Sequence, residues 1–234
     1  MDEDYQDRGE GGRRMPTTRL VAPRFAVLAS LLLCLLASAC NGEQHFFDVT
    51  GDLVVLSAAD HYDNALARAK EWKEDAYLSG ISAFPYPSEG SARKPWLVFD
   101  FDSLSTSEST YVVEFDGEAW RSWDLELGPH LARPAPIHRD DWSLDSVDAW
   151  SIALANGGED FLFHSQDPTT SMGVGLTYWT GDWESLRLAW RVHFFILDPL
   201  LYAPSLDMFI DAHTGDIIET KERSTSGTVV VGTP

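Results

Sequence analysis

The chain has 234 residues, of which 44% are hydrophobic and nine are tryptophan, and its formal net charge is -20 at pH 7. Such an acidic surface repels phosphate backbones and anionic lipid headgroups, so we expect no binding to nucleic acid. It suits a cationic partner, metal ions or simply high solubility. The length fits one large domain or two small ones.

An apolar segment near the N-terminus predicts export from the cytoplasm. Arg19 and Arg24 precede the uncharged segment 25–39, which is 15 residues long. That length is below the about 20 residues that a membrane-spanning helix needs, and it is typical of a signal-peptide core. We therefore interpret residues 1–39 as a signal peptide with an N-terminal extension.

The apolar segment ends in Leu-Ala-Ser-Ala followed by Cys40. Small residues before a cysteine resemble the lipobox of bacterial lipoproteins, in which the cysteine is acylated, commonly with palmitate, and becomes the mature N-terminus. The resemblance implies an extracytoplasmic protein held on a bacterial membrane through Cys40, and two or more acyl chains would make that attachment stable. Ordinary cleavage after Ala39 is the alternative. Apart from Cys40, Cys34 is the only cysteine, so we expect no disulfide in the folded part.

The first half of the remaining chain predicts one helix and three strands. Apolar residues recur at spacings of three and four from Ser57 to about Ser79, which indicates a helix capped by Ser57 or Asp60. An Asp116-Gly117 pair between alternating apolar residues is a strong hairpin signal. The predicted strands are 95–101, 111–115 and 119–125.

The second half repeats this order after a linker at 128–142. A helix is predicted at about Leu144 to Asn156, and Gly157 and Gly158 would end it. We expect residues 223–234 to form a flexible tail. The predicted strands are 173–180, 186–197, 206–211 and 216–219.

The last predicted hairpin has the most specific sequence pattern of the chain. Asp211-Ala-His-Thr-Gly215 joins two apolar strands, and we expect Asp211 to accept hydrogen bonds from the turn amides and Gly215 to adopt a positive φ. An apolar strand, Asp-Ala-x-Thr-Gly-Asp and a second apolar strand resemble the closing hairpin of PepSY domains. These modules occur in propeptides of thermolysin-like metallopeptidases and in bacterial lipoproteins. The resemblance extends from about Val147 to Glu222, and it implies a domain that binds, and in some cases inhibits, peptidases.

The two halves match in the order of their elements, which predicts a duplicated unit of about 80 to 95 residues. We therefore expect an α+β fold of two repeated units, 40–127 and 143–222, each a helix packed on a three- to four-stranded antiparallel sheet. Chance similarity is the alternative. The matching pairs are 74–78 with 159–163, 95–99 with 189–193, and 111–117 with 208–216.

Catalytic motifs of hydrolases, zinc peptidases and nucleotide-binding enzymes are missing from the sequence, so we expect neither an enzyme nor a cofactor. Asp211 and His213 offer two metal ligands, fewer than a zinc site needs. Asp100 and Asp102 suit a loose calcium site, but the full loop pattern is missing and we expect a solvated acidic surface. We interpret His193 as a structural histidine.

Four tryptophans, Trp120, Trp123, Trp179 and Trp183, lie near predicted strand ends or turns, where complete burial is difficult. They would either form a surface for a peptide, glycan or protein partner, or fill the interface between the two units. Together these features predict a non-enzymatic, lipid-anchored module that binds a peptidase, a peptide or an envelope protein. The alternatives are a small extracytoplasmic hydrolase that uses carboxylates or histidine, and a structural part of an envelope complex.

Overall fold

The computed structural model describes residues 53–87, 94–126, 134–165, 170–179, 186–196, 204–224 and 229–232. Within them, the helices are α1 (Ala58–Trp72), α2 (Ser146–Ala153) and α3 (Glu159–Ser165). The strands are β1 (Leu53–Val54), β2 (Ala76–Phe84), β3 (Tyr86–Pro87), β4 (Trp96–Ser103), β5 (Thr106–Phe115), β6 (Trp120–Glu126), β7 (Thr170–Trp179), β8 (Arg187–Ile196), β9 (Ser205–Asp211), β10 (Ile217–Arg223) and β11 (Val229–Gly232).

Nine of these strands form one antiparallel sheet in the order β11-β10-β9-β8-β7-β2-β4-β5-β6. The α+β class expected from the sequence is therefore confirmed. Within the described residues, the first half of the chain supplies one helix and the second supplies two, and in each half four strands that are neighbours in the sheet follow. These strands are β2, β4, β5 and β6 in the first half and β7 to β10 in the second. The halves join where β2 pairs with β7, in a register that places Ser82 opposite Gly175.

Helix α1 begins at the predicted cap but ends earlier than expected. The Ser57 hydroxyl accepts a hydrogen bond from the amide of Asp60 at 3.0 Å, as an N-cap does. The helix ends at Trp72, because Lys73 has an extended backbone, and the chain enters β2 at Ala76. The predicted helix up to about Ser79 was wrong there, since Ala76 and Tyr77 fit a helical stripe and a strand equally well.

The second helical segment is longer than predicted. Gly157 has a φ of +114° and interrupts the helix within a wide turn at Leu154–Gly158, but α3 follows directly. The predicted stop at the glycine pair is confirmed, whereas the separate helix α3 that follows it was not predicted. The expected match between 74–78 and 159–163 was also wrong in structure, because the first segment leads into β2 and the second is helical.

The helix N-termini of the two halves are bound to the same two residues. Asp145 caps α2, and its Oδ1 also accepts a hydrogen bond from the amide of Ala59 at 3.0 Å. The hydroxyl of Ser146, which is completely buried, accepts from the amide of Ala58 at 2.9 Å and donates to the carbonyl of Leu56 at 2.8 Å. These bonds hold both helices against the same face of the sheet.

The core lies between the helices and this face of the sheet. Side chains that alternate along the strands, among them Phe99, Val113, Trp190, Phe194 and Met208, are completely buried there. Their neighbours along the strands point to the opposite face, which no helix of the described residues covers; we call it the helix-free face. None of the helices in the described ranges has the length and apolar character that a membrane span requires.

The C-terminal residues differ from the expected flexible tail. Val229–Gly232 pairs with β10 and forms one edge of the sheet, with Val229 opposite Arg223. Three consecutive valines favour an extended backbone, and the free edge of β10 provides the pairing partner. The other edge of the sheet is β6.

We expect Gly158→Ala to destabilise the fold by about 1–3 kcal/mol, because a methyl group there would approach the Phe194 Cζ to 2.6 Å and the Ala153 carbonyl oxygen to 2.8 Å. Gly173→Ala is the matched control, since its nearest contact would be Phe84 Cε1 at 3.9 Å. It should change the free energy of unfolding by less than about 0.5 kcal/mol. Urea denaturation measures both, and equal stabilities for the two variants would contradict the close approach.

Candidate functional site

The turn between β9 and β10 is shaped by Asp211 and Gly215. Asp211 Oδ1 accepts hydrogen bonds from the amides of His213 and Thr214, both at 2.9 Å. Burial would raise the pKa of Asp211, but these donors outweigh it and hold the pKa below its usual value. Gly215 has a φ of +80°, and its amide donates to the Asp211 carbonyl at 3.0 Å. Both residues therefore have a geometric role in the turn.

The turn also connects to the start of α2. The amides of Ser143 and Leu144 donate to the carbonyl of Ala212 at 3.1 and 3.0 Å. The Ser143 hydroxyl donates to the His213 carbonyl at 2.9 Å and lies 3.2 Å from His213 Nδ1. Among the described residues, no three histidine, cysteine, aspartate or glutamate side chains are grouped closely enough to hold a metal ion.

Trp179 lies on the helix-free face of the second half and is not part of an exposed aromatic surface. Its Nε1 donates to Glu219 Oε2 at 2.9 Å. Three strand spacings of about 4.8 Å separate β7 from β10, so this bond requires the sheet to curl toward its helix-free face. Ala189 of β8 points to the same face and is completely buried. An indole that extends across β8 and β9 would account for this burial.

An ionic cluster of Arg191, His193 and Asp207 lies on the same helix-free face, and sequence reasoning missed it. Asp207 Oδ1 accepts hydrogen bonds from Arg191 Nε at 2.7 Å and lies 2.6 Å from Arg191 Nη2 and from His193 Nδ1. Burial would raise the pKa of Asp207, but His193 and Arg191 outweigh it and hold the pKa below its usual value. His193 therefore has a polar partner, as a structural histidine should. Arg191 and His193 are two positions apart on β8. This spacing alone could have predicted that their side chains share one face of the sheet.

The first half has a different arrangement on the same face. Asp102, only 2% exposed, accepts a hydrogen bond from the Thr110 hydroxyl at 2.6 Å. Burial and, second, the charge of Asp102 raise the pKa of Asp100 to about 7. The expected solvated acidic surface was therefore wrong at Asp102, because its side chain is directed to the neighbouring strand β5.

The edge strand β6 contains the other two tryptophans. Trp120 packs on Phe115 with ring centroids 4.7 Å apart, and Arg68 of α1 lies 5.3 Å from the centre of its indole. Trp123 points to the helix-free face and is 43% exposed. Three strands separate β6 from β7, so Trp120 and Trp123 lie apart from Trp179. Cys40 and Trp183 lie outside the described residues.

The two shifted carboxylates should give opposite pH dependences. The folded-state pKa of Asp207 is lowered, so its contribution is present above the unfolded pKa of about 3.9 and is lost as the pH falls through the folded value. Asp207→Asn should therefore be about 1–3 kcal/mol less stable than the wild type at pH 7, and this difference should shrink in acid.

The folded-state pKa of Asp100 is raised, so the free energy of unfolding decreases as the pH rises from about 4 toward 7. Asp100→Asn should become more stable than the wild type over that range. Melting temperatures measured from pH 3 to 8 test both signs, and parallel curves for the two variants would contradict the assignment.

Comparison with known proteins found no family model, no curated protein and no solved structure that matches this chain. Asp207 and Asp211 are occupied by bonds within the fold, and Trp179 is tied to Glu219. Strand β6 combines exposed side chains, an exposed indole and a position at the edge of the sheet. It is the candidate functional site.

Proposed function

We propose that this protein is a lipid-anchored, extracytoplasmic binding module of two repeated PepSY-like units that modulates a peptidase or another envelope protein without catalysing a reaction itself. The membrane attachment follows from the sequence of the leader, which ends in small residues and Cys40. An acyl anchor would place the folded part within reach of partners on the outer side of the membrane.

The order of elements supports the proposed duplication. In the described part of the chain, the first half has one helix and the second has two, and in each half four sequential antiparallel strands of the large sheet follow. In both halves the turn after the third of these strands begins with an aspartate. Asp116 Oδ1 accepts from the amides two and three residues further on, at 3.1 and 2.7 Å, as Asp211 does at 2.9 and 2.9 Å. Gly117 and Gly215 have φ values of +84° and +80°. Equivalent turns at equivalent places favour two copies of one unit.

The single observation that carries the binding role is the exposed edge strand β6. Its four residues from Arg121 to Asp124 are all exposed, and among them is the 43% exposed Trp123. Tryptophan is enriched among the residues that dominate binding energy in protein interfaces. A binding role needs no catalytic group, which agrees with a sequence that lacks the common catalytic motifs.

Cys40→Ser should move the protein from the membrane fraction to the soluble extracytoplasmic fraction, because the acylated sulfur would be lost. Cys34→Ser is the matched control, since Cys34 lies within the apolar segment of the leader, and it should leave the protein on the membrane. Fractionation followed by immunoblotting measures both. Retention of the Cys40 variant on membranes would refute lipid anchoring.

Trp123→Ala should reduce capture of the partner from detergent-solubilised envelopes by more than about tenfold, if the exposed indole is central to the interface. Leu104→Ala, which removes an 81% exposed side chain at the turn between β4 and β5, is the control and should capture as much as the wild type. The full chain serves as bait, and captured peptidases are assayed for altered turnover. Hydrolysis by the bait alone that is abolished by Asp211→Ala or His213→Ala would instead favour an enzyme.

A further inference from the structure

We infer that β6 is a docking edge for an extended peptide segment of the partner, one in which basic and apolar residues alternate. The inference rests on the proposed binding function and specifies the chemistry of its ligand. The segment would continue the sheet as a tenth strand beside β6, through main-chain hydrogen bonds. Three features of β6 carry the inference: its free backbone groups, its rigid attachment and its charge.

The free backbone groups follow from the hairpin that joins β5 and β6. The amide of Asp116 donates to the carbonyl of Ala119 at 3.2 Å, so the backbone of Ala119 points toward β5. Backbone groups alternate along a strand, and the β5–β6 register is regular over all seven pairs. Arg121, Trp123 and Leu125 therefore bond to β5. The amides and carbonyls of the other four residues face outward, and these residues are Trp120, Ser122, Asp124 and Glu126.

The edge strand is held in its extended form before any ligand binds. The hydroxyl of Tyr111 donates to Ser122 Oγ at 2.8 Å across the strand pair. Arg121 lies 3.3 Å from Asp116 Oδ2 and 3.5 Å from Glu114 Oε1. A ligand would therefore meet a formed strand, and only the ligand would lose conformational entropy on binding.

Three of the devices that protect sheet edges are missing from β6, although the strand carries the charged residues Arg121, Asp124 and Glu126. The strand contains no proline, no lysine and no bulge over its seven residues. The opposite edge, β11, has four residues and contains no aromatic side chain. Of the two edges, β6 thus offers the longer and more regular template.

The charge of β6 is unevenly distributed along the strand. At its C-terminal end Asp124 and Glu126 are exposed, and no cation of the described residues forms an ion pair with either carboxylate. Glu108 of the adjacent strand is also exposed at this end. At the N-terminal end, the carboxylates of Glu114 and Asp116 are paired with Arg121, and Arg68 lies over the Trp120 indole. The C-terminal end thus attracts a cationic ligand, and the N-terminal end does not.

The two faces of β6 specify the alternation in the ligand. Asp124 and Glu126 point to the helix side, like Trp120, whereas Trp123 and Leu125 point to the helix-free face. A paired strand places its side chains on the same alternating faces. Lysine or arginine at every second position would therefore meet the two carboxylates, and apolar residues between them would meet Trp123 and Leu125.

A second copy of this chain is a poorer occupant of the same edge. Each copy carries a net charge of -20, so association would bring like charges together. A basic segment reverses the sign of this interaction. Its affinity should decrease as the salt concentration rises, because the carboxylates at the edge are exposed and easily screened.

The test uses the full chain in detergent micelles and a short labelled peptide in which lysine and valine alternate. We expect saturable binding by fluorescence anisotropy, weakened more than about tenfold when glutamate replaces lysine. Hydrogen exchange should slow at the outward amides of Ser122 and Asp124. The same peptide with N-methyl groups on the residues that face β6 should bind more than about tenfold more weakly, because its main-chain donors are removed.

Ser122→Pro removes one outward amide without removing a bond to β5, and it should weaken peptide binding by more than about tenfold. Ser122→Ala is the matched control, since it loses the same hydroxyl but keeps the amide, and its binding should change by less than about threefold. Thermal melting verifies that both variants fold. The N-methylated peptide tests the same contact in the unaltered protein, so misfolding of the proline variant would not remove the test.

Equal binding of the lysine and glutamate peptides would overturn the inference. Equal binding of the N-methylated and unmethylated lysine peptides would overturn it as well. Concentration-dependent dimerisation that Ser122→Pro abolishes would assign the edge to a second copy of the chain instead. Peptide binding without capture of any envelope protein would contradict the proposed function and retain the docking edge. Capture that depends on Trp123, without binding of the alternating peptide, would contradict the docking edge and retain the proposed function.

Discussion

Two residues, Asp145 and Ser146, satisfy the N-termini of both α1 and α2, and the arrangement of the molecule depends on them. A helix start leaves free amides, and a capping side chain typically contributes about 0.5–2 kcal/mol. Here the Asp145 carboxylate accepts from amides of both helices, and the buried hydroxyl of Ser146 accepts from the first amide of α1. The shared caps hold the helices on one face of the sheet, and the opposite face and the edge β6 remain uncovered by the described helices.

The two faces of the sheet have different physical roles. The helical face buries large apolar side chains such as Trp190 and Phe194, which stabilise the fold. The helix-free face contains polar networks, in which Asp207 is charged and bonded while Asp100 has a pKa of about 7. The carboxylates of Asp102 and Asp207 accept hydrogen bonds from side chains of neighbouring strands. A role in binding, located at β6, is consistent with this division.

Local features were predictable from the sequence, and contacts between distant segments were not. The cap at Ser57 and the turn at Asp211 involve residues two or three positions apart, so the pattern alone indicates them. Strand β2 and helix α3 were missed, because Ala76 and Tyr77 suit either structure and because a glycine pair usually ends a helix. The pairing of β2 with β7 and the bonds between Arg191 and Asp207 depend on sheet register, which is a property of the folded chain.

The joint between the halves is the shortest ladder in the middle of the sheet. Strands β2 and β7 share three residue pairs, at Ile81, Ser82 and Ala83, whereas β7 and β8 share ten. Cooperative opening units tend to separate where the fewest contacts cross. In the sheet, the halves are joined by only three residue pairs at its centre. The hydrogen bonds from the amides of Ala58 and Ala59 to Ser146 and Asp145 cross this joint and hold the two halves together beside the short ladder.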